Sequence, residues 1–230
     1  MGLLAFPYPM FSYEAHYRNI AIYSDRPISA AINPILQTVE DRLEKSPLND
    51  PLLHHRVFIC NNNRLFAFFT SSDYRVGGEN YAWLNRNIFL RESHIDHNRL
   101  VGPSGNEVPG ERTLAYFLAH EITHSLEANY LGRYGYFRLP AWKREGYADF
   151  VAKGGAFDFP SQLAAFQRGD PEMDPARSGL YLRYHLMVSY LMDQKRVSAR
   201  TLLTRRFEQQ ALERDLRAIS GGPPGGNRQE

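Results

Sequence analysis

His120-Glu121-Ile122-Thr123-His124 lies inside Leu114–Leu131, a stretch that reads as an amphipathic helix. Residues four apart on a helix sit one turn apart and about 40° apart around the axis. His120 and His124 therefore offer two imidazoles to one point, as two ligands of a single zinc ion must. Glu121 projects beside them, where a carboxylate can take a proton from water at the metal. Without a metal the pair would be a polar stripe on a surface helix. The flanking Leu118, Ala119, Ile122 and Leu126 make the surroundings apolar, however, so the histidines are expected to be partly buried. Buried imidazoles need partners, and a metal supplies one.

Downstream runs Leu139-Pro140-Ala141-Trp142-Lys143-Arg144-Glu145-Gly146-Tyr147-Ala148-Asp149-Phe150. A catalytic zinc needs a third protein ligand and an open fourth position. Glu145 and Asp149 are again four apart on one helix face. Glu145 can reach the metal while Asp149 sits behind it, placed to accept an N–H from His120 or His124 and so hold a ring in orientation.

H-E-x-x-H followed by W-x-x-E-G-x-A-D-F resembles the gluzincin metallopeptidases, zincins whose third ligand is glutamate. The resemblance covers residues 80–195 and is specific in the two motifs. It implies His120, His124 and Glu145 as ligands of one zinc ion, Glu121 as general base, and Asp149 as the residue behind a ligand. The gap from His124 to Glu145 is a residue or two longer than in the best-known members, a difference that an inter-helix loop absorbs. The implied fold is α+β and zincin-like: a small N-terminal mixed sheet over the active-site helix, then a helical C-terminal part. The implied reaction is hydrolysis of a peptide bond.

The rest of the chain fits that frame. Its 230 residues suit one compact domain, taken as residues 18–219 between an N-terminal extension (1–17) and a disordered Gly/Pro/polar tail (220–230). A net charge of +2 gives no reason to expect nucleic acid or an anionic surface as partner. The basic residues Lys195, Arg196, Arg200, Arg205 and Arg206 read as a solvated helix face. Cys60 is the only cysteine, and it sits in an apolar run as a small core residue. No transmembrane segment is expected, because Gly2–Met10 is too short to span and carries Pro7 and Pro9. Gly2-Leu3-Leu4-Ala5-Phe6 would be the tail of a longer anchor if the natural start lay upstream. The compartment is therefore left open, cytoplasmic by default.

Arg18–Ser24 and Arg56–Asn61 read as strands, and Asn33 caps a helix running to about Lys45 with Pro34 at its first position. Asn62–Thr70 is expected as a short helix, Gly77-Gly78 as a turn, and Asn80–Leu84 with Asn87–Arg91 as a hairpin. His94–Gly110 reads as a polar loop and Gly132–Leu139 as a connection between the two motif helices. Pro160–Arg168, Gly179–Asp193 and Ser198–Ile219 supply further helix. Strands first and helices afterwards argue for α+β rather than a parallel β-α-β sheet.

In the resembled family an edge strand runs along the substrate cleft, and Asn87–Arg91 is the strand nearest the active-site helix in sequence. An unpaired edge can take an extended peptide by strand addition, so a peptide or protein substrate is expected. The family also draws an oxyanion donor from a later helix. Tyr181 fits best, ahead of Tyr184 and His185. The three could equally be packing residues. Gly77-Gly78-Glu79-Asn80 is similar to the glycine-led motif with which some aminopeptidases hold a free amino terminus, though a turn is the expected role. His94 and His97, three apart beside Asp96, have a spacing that could hold a second metal, though loop histidines are more often simply solvated. The competing function is a catalytically silent zinc module that binds peptides, against which Glu121 argues.

Overall fold

Ile20-Ala21-Ile22-Tyr23-Ser24 sends alternate side chains to opposite faces and becomes the second strand of a five-stranded mixed sheet. The computed structural model of the chain describes residues 2–70, 76–82, 84–155 and 157–219, so the expected tail 220–230 lies outside the described residues. Two compact units emerge. One runs to Leu139 and resumes over Ala148–Gly155; the other comprises Pro140–Tyr147 and the C-terminal chain.

In chain order the first unit contains α1 (Gly2–Ala5), β1 (Tyr13–Tyr17), β2 (Ile20–Ser24), α2 (Ile32–Leu43) and β3 (His55–Ile59). It continues with α3 (Asn63–Phe69), β4 (Gly78–Asn80), β5 (Asn87–Leu90), β6 (Ser93–His94), β7 (Arg99–Leu100) and the long α4 (Leu114–Arg138). Helix α5 (Ala141–Lys153) begins in the second unit and ends in the first.

The sheet order is β1-β2-β3-β5-β4. β2 and β3 pair in parallel, as do β3 and β5, while both outer pairs are antiparallel. Parallel neighbours need a crossover, and α2 provides the one between β2 and β3. The expectation of strands first and helices afterwards missed this unit, although the mixed sheet and the helical C-terminal part are as expected. The expected extension 1–17 also loses its last five residues to the sheet. Tyr13–Tyr17 pairs with β2 across a turn at Arg18, whose φ of 50° lets a hairpin close there.

Register sorts the core into two faces. Ile22, Val57 and Ile88 align on one face, and Tyr23, Phe58 and Phe89 on the other. On the second face the rings of Tyr23 and Phe58 stack at 5.0 Å, Phe58 and Phe89 at 5.3 Å, and Phe89 and Phe69 at 4.3 Å. Phe69 comes from α3, whose cap is Asn62, its side chain accepting from Leu65 N at 2.8 Å. Cys60 is buried in this cluster, and burial pushes its thiol pKa up, so it is a core residue.

Helix α2 starts at Ile32, two residues before the expected position of Pro34, and packs against α4. No described helix is long and apolar enough to cross a membrane.

The second unit holds α6 (Phe159–Arg168), α7 (Pro175–Ser178), α8 (Leu182–Ser189) with a π-helical turn over Tyr190–Gln194, α9 (Ala199–Thr204) and α10 (Gln209–Ala218). α6 and α10 pack on α8 and on each other. The single helix expected over Ser198–Ile219 is instead two, broken at Arg205, which is extended. The carbonyl freed there accepts from the buried Lys143 Nζ at 2.5 Å, so the break is satisfied by a tertiary bond. Lys195, Arg196, Arg200, Arg205 and Arg206 are exposed, but only Arg200 lies within a helix, so they do not form the helix face expected.

Candidate metal centre

Thr113 begins α4, its side chain accepting from Tyr116 N at 3.2 Å. Asn98, at φ 52° in the left-handed region, takes two more of the orphan amides. Its carbonyl accepts from Leu114 N at 2.9 Å and its side chain from Ala115 N at 3.0 Å.

Every residue from Leu114 to Ala128 is buried, so α4 is enclosed on all sides rather than amphipathic through this span. The helix also outruns the expected boundary. Gly132, at φ 69°, introduces a kink, and helical structure resumes to Arg138 where a connection was expected.

Within this enclosed span His120, Glu121 and His124 are all buried, and the two imidazole rings lie 4.9 Å apart at nearly right angles. Donor atoms of His120, His124 and Glu145 lie within 4.8 Å of one another. Glu145 comes from α5, where its Oε1 accepts from Arg144 Nε at 3.0 Å.

Asp149 stands one turn further along α5 and is 2 % exposed. Tyr116 donates its hydroxyl to Asp149 Oδ1, and Lys153 Nζ pairs with Oδ2 at 3.2 Å. The Tyr116 ring lies 5.7 Å from that of His120, so the tyrosine links Asp149 to the histidine.

Sequence reasoning missed Glu127. It lies three residues after His124 and is fully buried, and its Oε2 is 3.0 Å from His124 Nδ1. That bond makes Nδ1 the protonated nitrogen and leaves Nε2 as the lone-pair donor of the ring. The signal was available as a second acidic residue at i+3 inside an otherwise apolar helix.

Sequence reasoning also misplaced the edge strand. β5 is internal, paired with β3 on one side and β4 on the other; β4 is the edge. Gly77-Gly78 is not a turn but a close approach of backbone to helix. A Cβ on Gly78 would stand 3.0 Å from Glu121 Oε1 and 2.5 Å from Leu90 Cδ2, and one on Gly77 2.4 Å from Phe117 Cε1. Asn80 then fastens the strand to α4, its Nδ2 donating to Glu121 O and, at 2.9 Å, to Ser125 Oγ.

The three aromatic candidates for an oxyanion donor belong to the second unit. Tyr181 is the residue before α8, its ring 6.2 Å from that of Tyr184 in a stacked arrangement. His185 is buried and stacks on Phe157 at 3.8 Å. In the same unit Gly146, the neighbour of Glu145, lies directly on this turn. A Cβ there would be 2.6 Å from the Tyr184 carbonyl oxygen. The glycine of E-G-x-A-D is therefore required by helix contact, and the start of α8 lies next to Gly146.

No protein-family model matches the chain, and no curated protein is significantly similar to it. The two motifs and the geometry above are what bear on function.

The donor set fits zinc. Two imidazoles and a carboxylate are among its usual partners, and at Zn–N and Zn–O distances of about 2.0–2.2 Å tetrahedral donors stand roughly 3.3 Å apart. Side-chain rotation closes three atoms from within 4.8 Å to that separation.

Proposed function

We propose that the chain is a zinc-dependent hydrolase, a metallopeptidase of the gluzincin type. The observation that carries this reading is the convergence of His120, His124 and Glu145 with the buried Glu121 carboxylate on the adjoining position of α4. These three residues would hold the ion, with Glu127 and Asp149 positioning the ligands from behind. When bound, zinc supplies a Lewis acid that polarises a carbonyl and makes water at the site more acidic.

Glu121 is the base. Its carboxylate takes a proton from the attacking water as oxygen adds to the scissile carbonyl carbon. It then gives that proton to the amide nitrogen as the C–N bond breaks, leaving a carboxylic acid and an amine. Gly78 lets the β4 backbone pass against this carboxylate, which shields one side of it from solvent. Tyr181 would be the donor to the developing oxyanion, with Tyr184 and His185 as its alternatives.

The outermost position of β4 among the described strands of the sheet supports a peptide substrate. An extended chain can add beside it as a sixth strand. A substrate with only one amide group would leave most of that edge unused.

Metal analysis of the purified chain together with a peptide-library cleavage profile tests the reading. About one zinc per chain is expected. Glu121→Gln keeps the metal and abolishes cleavage, while Glu145→Ala loses metal. Full zinc occupancy in Glu145→Ala would overturn the ligand assignment, and unchanged cleavage by Glu121→Gln would overturn the mechanism.

A further inference from the structure

A second group of donors converges away from that centre. His94, His97 and Glu107 each bring one ligand atom within 4.8 Å of the others. The backbone accounts for the arrangement. His94 immediately precedes a 3-10 turn, Ile95–His97, and residues three apart in such a turn eclipse one another. Both rings therefore project from one side, 5.9 Å apart and nearly perpendicular.

Glu107 arrives from the returning arm of the loop, where it bridges to Val101 while Val108 N donates to Leu100 O at 2.8 Å. Its Oε1 stands 2.7 Å from His94 Nδ1 and 2.6 Å from His97 Nδ1. Asp96, the carboxylate nearest in sequence, instead accepts from Ser29 Oγ. A cleft of about 350 Å³ lined by Ser29, Ser93, His94, Asp96 and His97 opens beside the group, with room for water to complete a coordination shell.

We propose that His94, His97 and Glu107 form a second metal site that takes a divalent late first-row transition ion, with zinc as the probe. Two imidazoles and one carboxylate favour zinc, nickel or copper over magnesium or calcium, which prefer oxygen throughout. Inserting the ion asks these donors to part by well under an ångström, from 2.6–2.7 Å to roughly 3.3 Å. The histidines are exposed and Glu107 half-buried, so rotation achieves it.

The site has a structural consequence. The residue after His97 is Asn98, which caps the first turn of α4. An ion pinning His94 and His97 to Glu107 holds that cap in place and stabilises the helix that carries His120 and His124. This inference does not rest on the hydrolytic reading, because neither Glu121 nor any ligand of the first centre takes part.

The test is a zinc titration of the full chain with its tight metal already bound, read by calorimetry and by thermal melting. A second equivalent should bind and raise Tm. It should be absent from the double variant His94→Ala/His97→Ala and weakened at least about tenfold in Glu107→Gln, with the first equivalent retained in both. Metal-poor wild type and variants should melt alike, which shows that the substitutions do not unfold the chain. A single equivalent in wild type up to about 0.1 mM free zinc would overturn the proposal. So would a second equivalent that persists in the double variant. Loss of the first equivalent on Glu145→Ala concerns only the other centre.

Discussion

Removing the carboxylate of Glu127 should weaken metal binding. The carboxylate is fully buried, its partner His124 is nearly so, and the bond between them is 3.0 Å. A hydrogen bond to a charged group in such a setting contributes about 1.5–3 kcal/mol. That energy holds the ring with Nε2 presented and makes it a better donor, so it appears in the metal affinity. At about 1.4 kcal/mol per factor of ten, the range corresponds to roughly 10- to 150-fold in Kd.

Two substitutions divide it. Glu127→Gln keeps an acceptor and loses the charge, and should fall near the tenfold end. Glu127→Leu removes the acceptor as well, and should approach about 100-fold. Glu127→Leu should also destabilise the metal-free protein, since it takes this acceptor away from His124 Nδ1, whereas Glu127→Gln should do so much less. The assay is zinc competition against a chromophoric chelator, paired with melting of the metal-free chain. If both variants bind zinc within about twofold of wild type while the metal-free melting temperature drops, Glu127 supports α4 and not the histidine, and the reasoning fails.

Three other outcomes are expected. Tyr181→Phe should lower kcat by about 10²–10³-fold with zinc content and substrate affinity little changed, since the hydroxyl acts on the transition state; lost thermal stability with unaltered turnover would mark a packing residue and move the test to Tyr184 and His185. Gly146→Ala drives a methyl group to 2.6 Å from the Tyr184 carbonyl oxygen, and should cost about 1–3 kcal/mol in urea unfolding; a neutral result would mean α5 and α8 can part freely. Burial lowers the His55 pKa from 6.5 to about 4, so between those values the unfolded chain binds a proton that the folded chain refuses. The stability contributed by the neutral ring is full above pH 6.5 and declines by about 3 kcal/mol as the pH falls to 4. His55→Leu should flatten that part of the urea-unfolding profile of the metal-free protein, and an unchanged slope would exclude His55 as its source.

How much was legible from sequence depends on the range of the interaction. The spacing of His120 and His124, and of Glu145 and Asp149, is a property of a single helical turn, so the candidate ligands were readable without a fold. The same holds for the short helix expected over Asn62–Thr70, which forms as α3 from Asn63 to Phe69. Where sequence reasoning slipped, the deciding contact came from elsewhere in the chain. Gly77-Gly78 carries the ordinary signature of a turn, and only the passage of β4 against Phe117 and Glu121 shows why side chains are excluded there. Lys143 lies 62 residues from the carbonyl it satisfies at the break between α9 and α10.

The sequence by itself determined the candidate donor types, their helical phase and several of the helices and strands, because these follow from backbone geometry and side-chain chemistry within a few residues. Tertiary structure alone decided that α4 is enclosed on every face, that β4 rather than β5 is the sheet edge, and that Glu127 and Glu107 meet histidines. A carboxylate in a sequence is by default a solvated charge. It becomes a ligand's support or a ligand itself only when packing removes its water and places a nitrogen within about 3 Å.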